Sequence, residues 1–308
     1  MYRLLILLSA VFILLHSCTK EKTDYEAERS KEIPTDSNYS SVFKKNLEGF
    51  EIELFSLNGK LVQGYNELKV NVKSLSNNQL IQADAVQLLP VLSLANNPYQ
   101  SAPHTKELKF NISDNSHDGY IVFTELSTAQ KAWELLLQIR IGQKTIQIKQ
   151  QIQVEEQANK NLNMVAFTGA DQEEYVIALI APHAPKVAEN KLLACIFQRD
   201  KEQEILFDDF RSIAISPYKI STSYRLALDP RMPEPSMGNH SSPNNKDLEQ
   251  NKEDWYEGVV NYTMTGNWTL NFILYNQAGR ILKGTPVPKD FTPGVAGKKS
   301  ELFIDILF

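Results

Sequence analysis

Cysteine is nearly absent from this chain, whose 308 residues include only Cys18 and Cys195. Two cysteines cannot form the set of disulfide bonds that stabilises many small secreted folds. Cys195 lies in the apolar run LLACIFQ, which favours a buried, unreactive thiol over a nucleophile. A hydrophobic core must therefore hold the fold together.

An excess of positive charge is also lacking. The chain has 32 lysines and arginines against 37 aspartates and glutamates, for a formal net charge of −5. Nucleic-acid binders usually carry a basic face, so we expect no nucleic-acid partner. The sequence contains no Gly-x-Ser-x-Gly, no glycine-rich phosphate loop and no His-Glu-x-x-His. We therefore predict that the protein is not an enzyme.

Long apolar runs are missing except near the start, where Leu4 to Leu15 follow Arg3. That run is shorter than the roughly 20 residues that span a bilayer, and it is typical of a signal peptide. The next residues, Leu15-His16-Ser17-Cys18, resemble a bacterial lipobox. The resemblance implies a signal peptide at 1–17 and a diacylated Cys18 that anchors the mature chain to a membrane. The alternative is an ordinary secretory signal peptide that is cleaved elsewhere.

Residues 18–45 are rich in charged residues and poor in large aliphatic ones. Such a composition cannot bury enough apolar surface to order itself, so we predict a flexible tether. Charged residues after the lipidated cysteine resemble those of Bacteroidetes lipoproteins. This resemblance implies a place in the bacterial envelope, on the periplasmic or the outer face of the outer membrane.

From Phe50 onward, short alternating or β-branched runs are separated by turn residues such as Asn58-Gly59 and Asp118-Gly119. They predict an antiparallel β-sandwich over residues 46–156. The stretch AWELLLQIR has a helical composition. The alternation in KTIQIKQQIQV that follows instead favours a hairpin around residues 141–144.

The order of landmarks then repeats, which predicts a second sandwich over residues 160–308. Asn66 and Asn190 both stand near the start of a strand. A Pro-containing strand and a strand that begins with tryptophan, Trp133 or Trp268, follow in both halves. The fold class predicted is all-β, with two tandem antiparallel β-sandwiches after the signal peptide and the tether.

Methionine is scarce as well, with five in the chain. Two of them stand in the proline-broken stretch MPEPSMGNHSSP, and a strand that contains Met264 follows. This pattern resembles the YtkA-like domain and the related FixH-like proteins. The resemblance implies an immunoglobulin-like sandwich and a role in copper handling. The first copy carries Leu92 and Leu94 in place of methionines, and its counterpart of Met264 falls near Glu125 or Leu126, so we interpret it as degenerate.

Thioethers and an imidazole together select Cu(I) over harder ions. We therefore expect a Cu(I) site in the second sandwich, with the ligands Met232, Met237, His240 and Met264. Methionine also fills irregular gaps in cores, so a purely structural role is the alternative. In that case the protein would be an envelope lipoprotein whose sandwiches bind a protein partner.

Overall fold

The computed structural model describes residues 38–95, 97–202 and 216–307, and β-strands dominate it. In these ranges the only helical segment is a single 3-10 turn, Pro235–Met237. The predicted all-β class is confirmed. The strands are β1 Tyr39–Leu47, β2 Phe50–Leu57, β3 Leu61–Val62, β4 Gly64–Ser74, β5 Ala85–Leu94, β6 Asn97–Gln100, β7 Lys109–Asn111, β8 Ser116–Phe123, β9 Lys131–Ile141, β10 Lys144–Ile152, β11 Val154–Glu155, β12 Met164–Thr168, β13 Glu174–Ala181, β14 Glu189–Arg199, β15 Tyr218–Ile220, β16 Arg225–Met232, β17 His240–Ser241, β18 Lys246–Gln250, β19 Tyr256–Asn261, β20 Asn267–Tyr275, β21 Ile281–Lys283 and β22 Leu302–Leu307.

Strand β1 corrects the predicted tether, which extended to residue 45. The strand begins at Tyr39 and pairs antiparallel with β2, from Tyr39 opposite Leu57 to Leu47 opposite Phe50. The tight turn at Glu48-Gly49, with both residues at positive φ, closes this hairpin. Pairing with β2 therefore overrides the polar composition. Cys18 and the predicted signal peptide lie outside the described residues.

Residues 39–155 form the N-terminal sandwich. One sheet has the order β1-β2-β4-β8-β7 and the other has the order β10-β9-β5-β6. Their inner faces share one core around the fully buried Trp133. Alternation decides which residues enter it, as in β10, where Ile146, Ile148 and Ile152 are buried between exposed or half-buried neighbours.

The predicted hairpin around residues 141–144 is confirmed. Strand β9 ends at Ile141 and β10 begins at Lys144, and these two residues face each other. Gly142 takes the positive φ of 59° that the tight turn needs. The stretch AWELLLQIR lies within β9, so its interpretation as a strand is confirmed.

Residues 164–307 form the C-terminal sheet, one continuous antiparallel sheet of eleven strands. It curls back on itself, so that β22 approaches β12. The Leu307 N–H also donates to the carbonyl of Asn159, which precedes β12, at 2.9 Å. The enclosed core surrounds Trp268, Phe272 and Tyr256. In the described ranges, no helix has the length and hydrophobicity needed to cross a membrane.

The same strand order occurs twice. The N-terminal series β1-β2-β4-β8-β7 corresponds to β12-β13-β14-β19-β18 in the C-terminal sheet. The series β9-β5-β6 corresponds to β20-β16-β17. This correspondence supports the internal repeat inferred from the order of landmarks.

Individual residues also correspond between the two copies. The Asn66 side-chain amide donates to the carbonyls of residues 62 and 64, and its oxygen accepts from the Val62 N–H. Asn190 makes the same three bonds with residues 186 and 188. Both asparagines are 5% exposed. Each one fastens the loop before a central strand, β4 or β14.

The two units pack against each other through a third apolar cluster. Tyr65 and Tyr120 of the N-terminal sandwich meet Phe197 and Trp255 of the C-terminal sheet. The centroid of the Tyr120 ring lies 6.1 Å from that of Phe197 and 5.6 Å from that of Trp255. Cys195 is fully buried in this interface, and burial raises the pKa of its thiol. The prediction of a buried cysteine is thus confirmed.

Candidate metal centre

A short hairpin brings Met232 and His240 side by side. Met232 ends β16 and lies opposite His240 of β17. The loop between them contains the 3-10 turn, in which the Met237 N–H donates to the Glu234 carbonyl at 2.9 Å. Gly238 and Asn239 then adopt positive φ values of 62° and 53°. These two left-handed residues turn the chain back, so Asn239 is part of the turn that places His240.

The loop that carries Met264 reaches the same place from the other side. It lies between β19 and β20, and its Met264 carbonyl accepts from the Trp268 indole N–H at 3.0 Å. Two residues further on, a Cβ added to Gly266 would lie only 2.9 Å from the Met232 terminal methyl carbon. The side chain of Met232 therefore contacts the loop of Met264.

His240 links the two loops. Its Nε2 lies 2.9 Å from the hydroxyl of Thr263, the residue before Met264. Its ring is 6.2 Å from the Trp268 ring, in an edge-on arrangement. The structure thus brings Met232, His240 and the Met264 loop together at one end of the C-terminal sheet.

The three methionines also pack against apolar side chains. Met232 is 1% exposed and belongs to the core around Trp268, while Met237 and Met264 are half-buried against the same core. The packing role that the sequence offered as the alternative is therefore present. Packing and metal ligation do not exclude each other, because buried thioethers are suitable ligands for Cu(I).

A long irregular segment, residues 284–301, covers the loop of Met237. The Gly297 N–H donates to the Pro233 carbonyl at 2.7 Å, and the Asn239 amide donates to the Pro288 carbonyl at 3.1 Å. The Phe291 ring lies over Gly238. Sequence reasoning missed this covering segment. The sequence does contain a sign of it, a run rich in proline and glycine between two strands. Long loops without secondary structure are often functional in compact folds.

The equivalent positions in the N-terminal sandwich carry no such ligands. Pro90 pairs with the residue two after Trp133, just as Pro230 pairs with the residue two after Trp268. By this register Leu92 corresponds to Met232, and Gln100, opposite Leu92, corresponds to His240.

The counterpart of Met264 follows from a hydrogen bond that both copies share. The Trp133 indole donates to the Glu125 carbonyl at 2.8 Å, as the Trp268 indole does to the Met264 carbonyl. Glu125 is therefore the counterpart of Met264.

Among the described residues, carboxylate, thiol and imidazole groups do not form an alternative metal site. Within residues 38–95, 97–202 and 216–307, no three or more His, Cys, Asp or Glu side chains are grouped so that they could hold a metal ion. This finding does not concern thioethers. Comparison with family models and with curated proteins finds no match to this chain.

Proposed function

We propose that this protein is a bacterial envelope lipoprotein, anchored through Cys18, whose C-terminal sheet binds Cu(I) through Met232, Met237, His240 and Met264. One observation supports it above all. Met232 faces His240 across a strand pair, and both contact the loop of Met264. Residues distant in the sequence thus meet at one end of the sheet.

The donor set fits the metal. Three thioethers and one imidazole are soft or borderline neutral ligands, and they suit Cu(I) better than Zn²⁺ or Mg²⁺. The Thr263 hydroxyl holds His240 through Nε2, so the other ring nitrogen would supply the bond to the metal. A polar partner on the second nitrogen is the usual way in which proteins orient a ligating histidine.

The covering segment suits a site that must exclude water and oxidants. Phe291 and the backbone of Gly297 lie against the loop of Met237. Met237 and His240 nonetheless remain partly exposed, which would allow copper to enter from a donor. In this view the N-terminal sandwich, which lacks the ligands, holds the copper-binding unit at a set distance from the anchor.

The test is a Cu(I) competition titration against a chromogenic chelator, under reducing and oxygen-free conditions. All proteins carry Cys18→Ser, because a free thiol would compete with thioethers. We expect the full chain in detergent to bind one Cu(I) with a dissociation constant of about 1 nM or tighter. The Met237→Leu/His240→Asn double variant should lose this binding, because half of the donor set is gone.

The matched control is Met164→Leu, which removes the one methionine of the described residues outside the site. Leucine keeps nearly the volume of methionine, so it should preserve both packing and Cu(I) binding. Equal affinities in the double variant and the control, or no binding by the parent chain, would return the methionines to a structural role. The lipoprotein would then be an interaction protein for an envelope partner.

A further inference from the structure

A cleft lies between the N-terminal sandwich, the linker of residues 156–163 and the C-terminal sheet. Its cavity volume is about 400 Å³, within the range of small-molecule sites, which often occur between domains. Residues from three parts of the chain line it: Tyr65 and Glu67 of β4, Asn161 and Leu162 of the linker, and His183 of the loop after β13. We call this cavity the interdomain cleft.

The walls of the interdomain cleft are held in place by hydrogen bonds. The Tyr65 N–H donates to the Leu162 carbonyl at 3.0 Å. The Gln157 side chain bridges Gln63 and Leu162, donating at 2.8 Å and accepting at 3.1 Å. Gly64, with φ of 98°, has no room for a Cβ, which would lie 2.2 Å from the Leu162 carbonyl oxygen. The cavity is therefore preformed.

The lining of the interdomain cleft has more acidic than basic side chains. Glu155 forms an ion pair with Lys60 at 3.1 Å. Glu67 accepts from the Tyr39 hydroxyl at 2.8 Å, and His183 lies 3.8 Å from its other oxygen. In the part of the chain that the structure describes, no lysine or arginine pairs with Glu67. A cation in the cleft would meet this carboxylate.

Asn161 is a second, independent sign of a ligand. The residue is 3% exposed, and its Oδ1 has no hydrogen-bond partner among the described residues. Its amide nitrogen donates to the His183 carbonyl at 3.4 Å. A buried acceptor without a donor is costly, so a hydrogen-bond donor in the cleft would stabilise it after a small shift of the side chain.

We propose that the interdomain cleft binds a primary ammonium group carried on a short apolar body. The Glu67 carboxylate supplies the counter-charge, and Asn161 Oδ1 supplies a neutral acceptor. Apolar side chains such as Leu162 would contact the body of the ligand. This site is separate from the Cu(I) site and does not depend on it.

The test uses phenethylamine as the probe and 2-phenylethanol as its neutral counterpart, with the full chain in detergent and calorimetry as the readout. We expect saturable 1:1 binding of the amine with a dissociation constant of about 1 mM or tighter, and none of the alcohol. Glu67→Gln should weaken amine binding by about tenfold or more, because it removes the counter-charge. The glutamine keeps an acceptor for the Tyr39 hydroxyl, so the local structure should be preserved.

Glu134→Gln is the matched control, because Glu134 pairs with Lys149 away from the cleft. It should leave amine binding unchanged. Equal binding of amine and alcohol, no saturable binding, or equal affinities in the Glu67→Gln and Glu134→Gln variants would overturn the proposal. If Glu67→Gln does not fold, the comparison of amine with alcohol on the parent chain decides.

Discussion

At the scale of single residues, His104 shows how burial changes the pKa of a side chain. Its Nδ1 lies 2.7 Å from the Ala102 carbonyl, and its Nε2 is buried. Burial disfavours the charged imidazole and lowers the pKa of His104 from 6.5 to about 4. The folded state therefore holds a neutral histidine where the unfolded chain would bind a proton.

We predict that His104 makes stability depend on pH between about 6.5 and about 4. Because the unfolded state binds the extra proton in this window, the free energy of unfolding should fall as the pH falls. Denaturant unfolding of the parent chain and of His104→Phe, at several pH values, measures the contribution. The variant should lose less stability over the window, and identical pH profiles would contradict the prediction.

At the scale of elements, Asn66 and Asn190 stabilise the loops that precede two central strands. Asn66 and Asn190 each close a loop of five residues, and the loop ends where a central strand begins. Both were visible in the sequence as repeated landmarks. Their bonding was not, because it depends on how the chain turns before the strand.

We predict that Asn66→Ala and Asn190→Ala each lower the free energy of unfolding by about 1–3 kcal/mol, because each leaves buried backbone groups without partners. Chemical denaturation measures the loss. The control is Asn46→Ala, which changes an exposed asparagine on β1 and should alter stability by about 0.5 kcal/mol or less. Losses no larger than that of the control would show that the loops hold without the asparagines.

Other elements show where local patterns stop being informative. The alternation of β10 and the turn at Gly142 were readable, since both are properties of a few adjacent residues. Strand β1 was missed, because its polar residues become a strand only when β2 pairs with them. Strand β18 likewise lies in a polar stretch and pairs with β19.

At the scale of the whole molecule, the interface between the two units explains why β13 and β14 each contain a continuous apolar run, VIALIA and LLACIF. Strands β13 and β14 are buried on both faces, one toward the core around Trp268 and the other toward the N-terminal sandwich. Ile196 points into the core, whereas Cys195 and Phe197 point into the interface. Such strands read as uninterrupted hydrophobic sequence rather than alternation.

We predict that this interface makes the protein unfold in one cooperative transition. Phe197→Ala removes an aromatic ring that is 2% exposed at the interface, so it should separate the unfolding of the two units. Calorimetry should then show two transitions. The control, Phe272→Ala, removes a ring from the core of the C-terminal sheet. It should lower the stability of that sheet by about 3–5 kcal/mol without removing an interface contact.

If Phe197→Ala unfolds in one transition with the same shift as the control, the interface does not couple the units. The same experiment bears on the interdomain cleft, since its walls come from both units and from the linker. Uncoupling the units should weaken amine binding, whereas the proposed Cu(I) binding should persist, because the four proposed ligands lie within the C-terminal sheet.

The sequence by itself determined the all-β class, the hairpin at residues 141–144, the buried cysteine and the repeated order of landmarks. These follow from alternation, turn residues and short apolar runs, which act over a few neighbouring positions. Only the tertiary structure decided the pairing of β1, the segment that covers Met237, the interface at Phe197 and the cleft at Glu67. Each of these depends on residues that are far apart in the chain, and their contacts form only when the strands are in register and the two units pack.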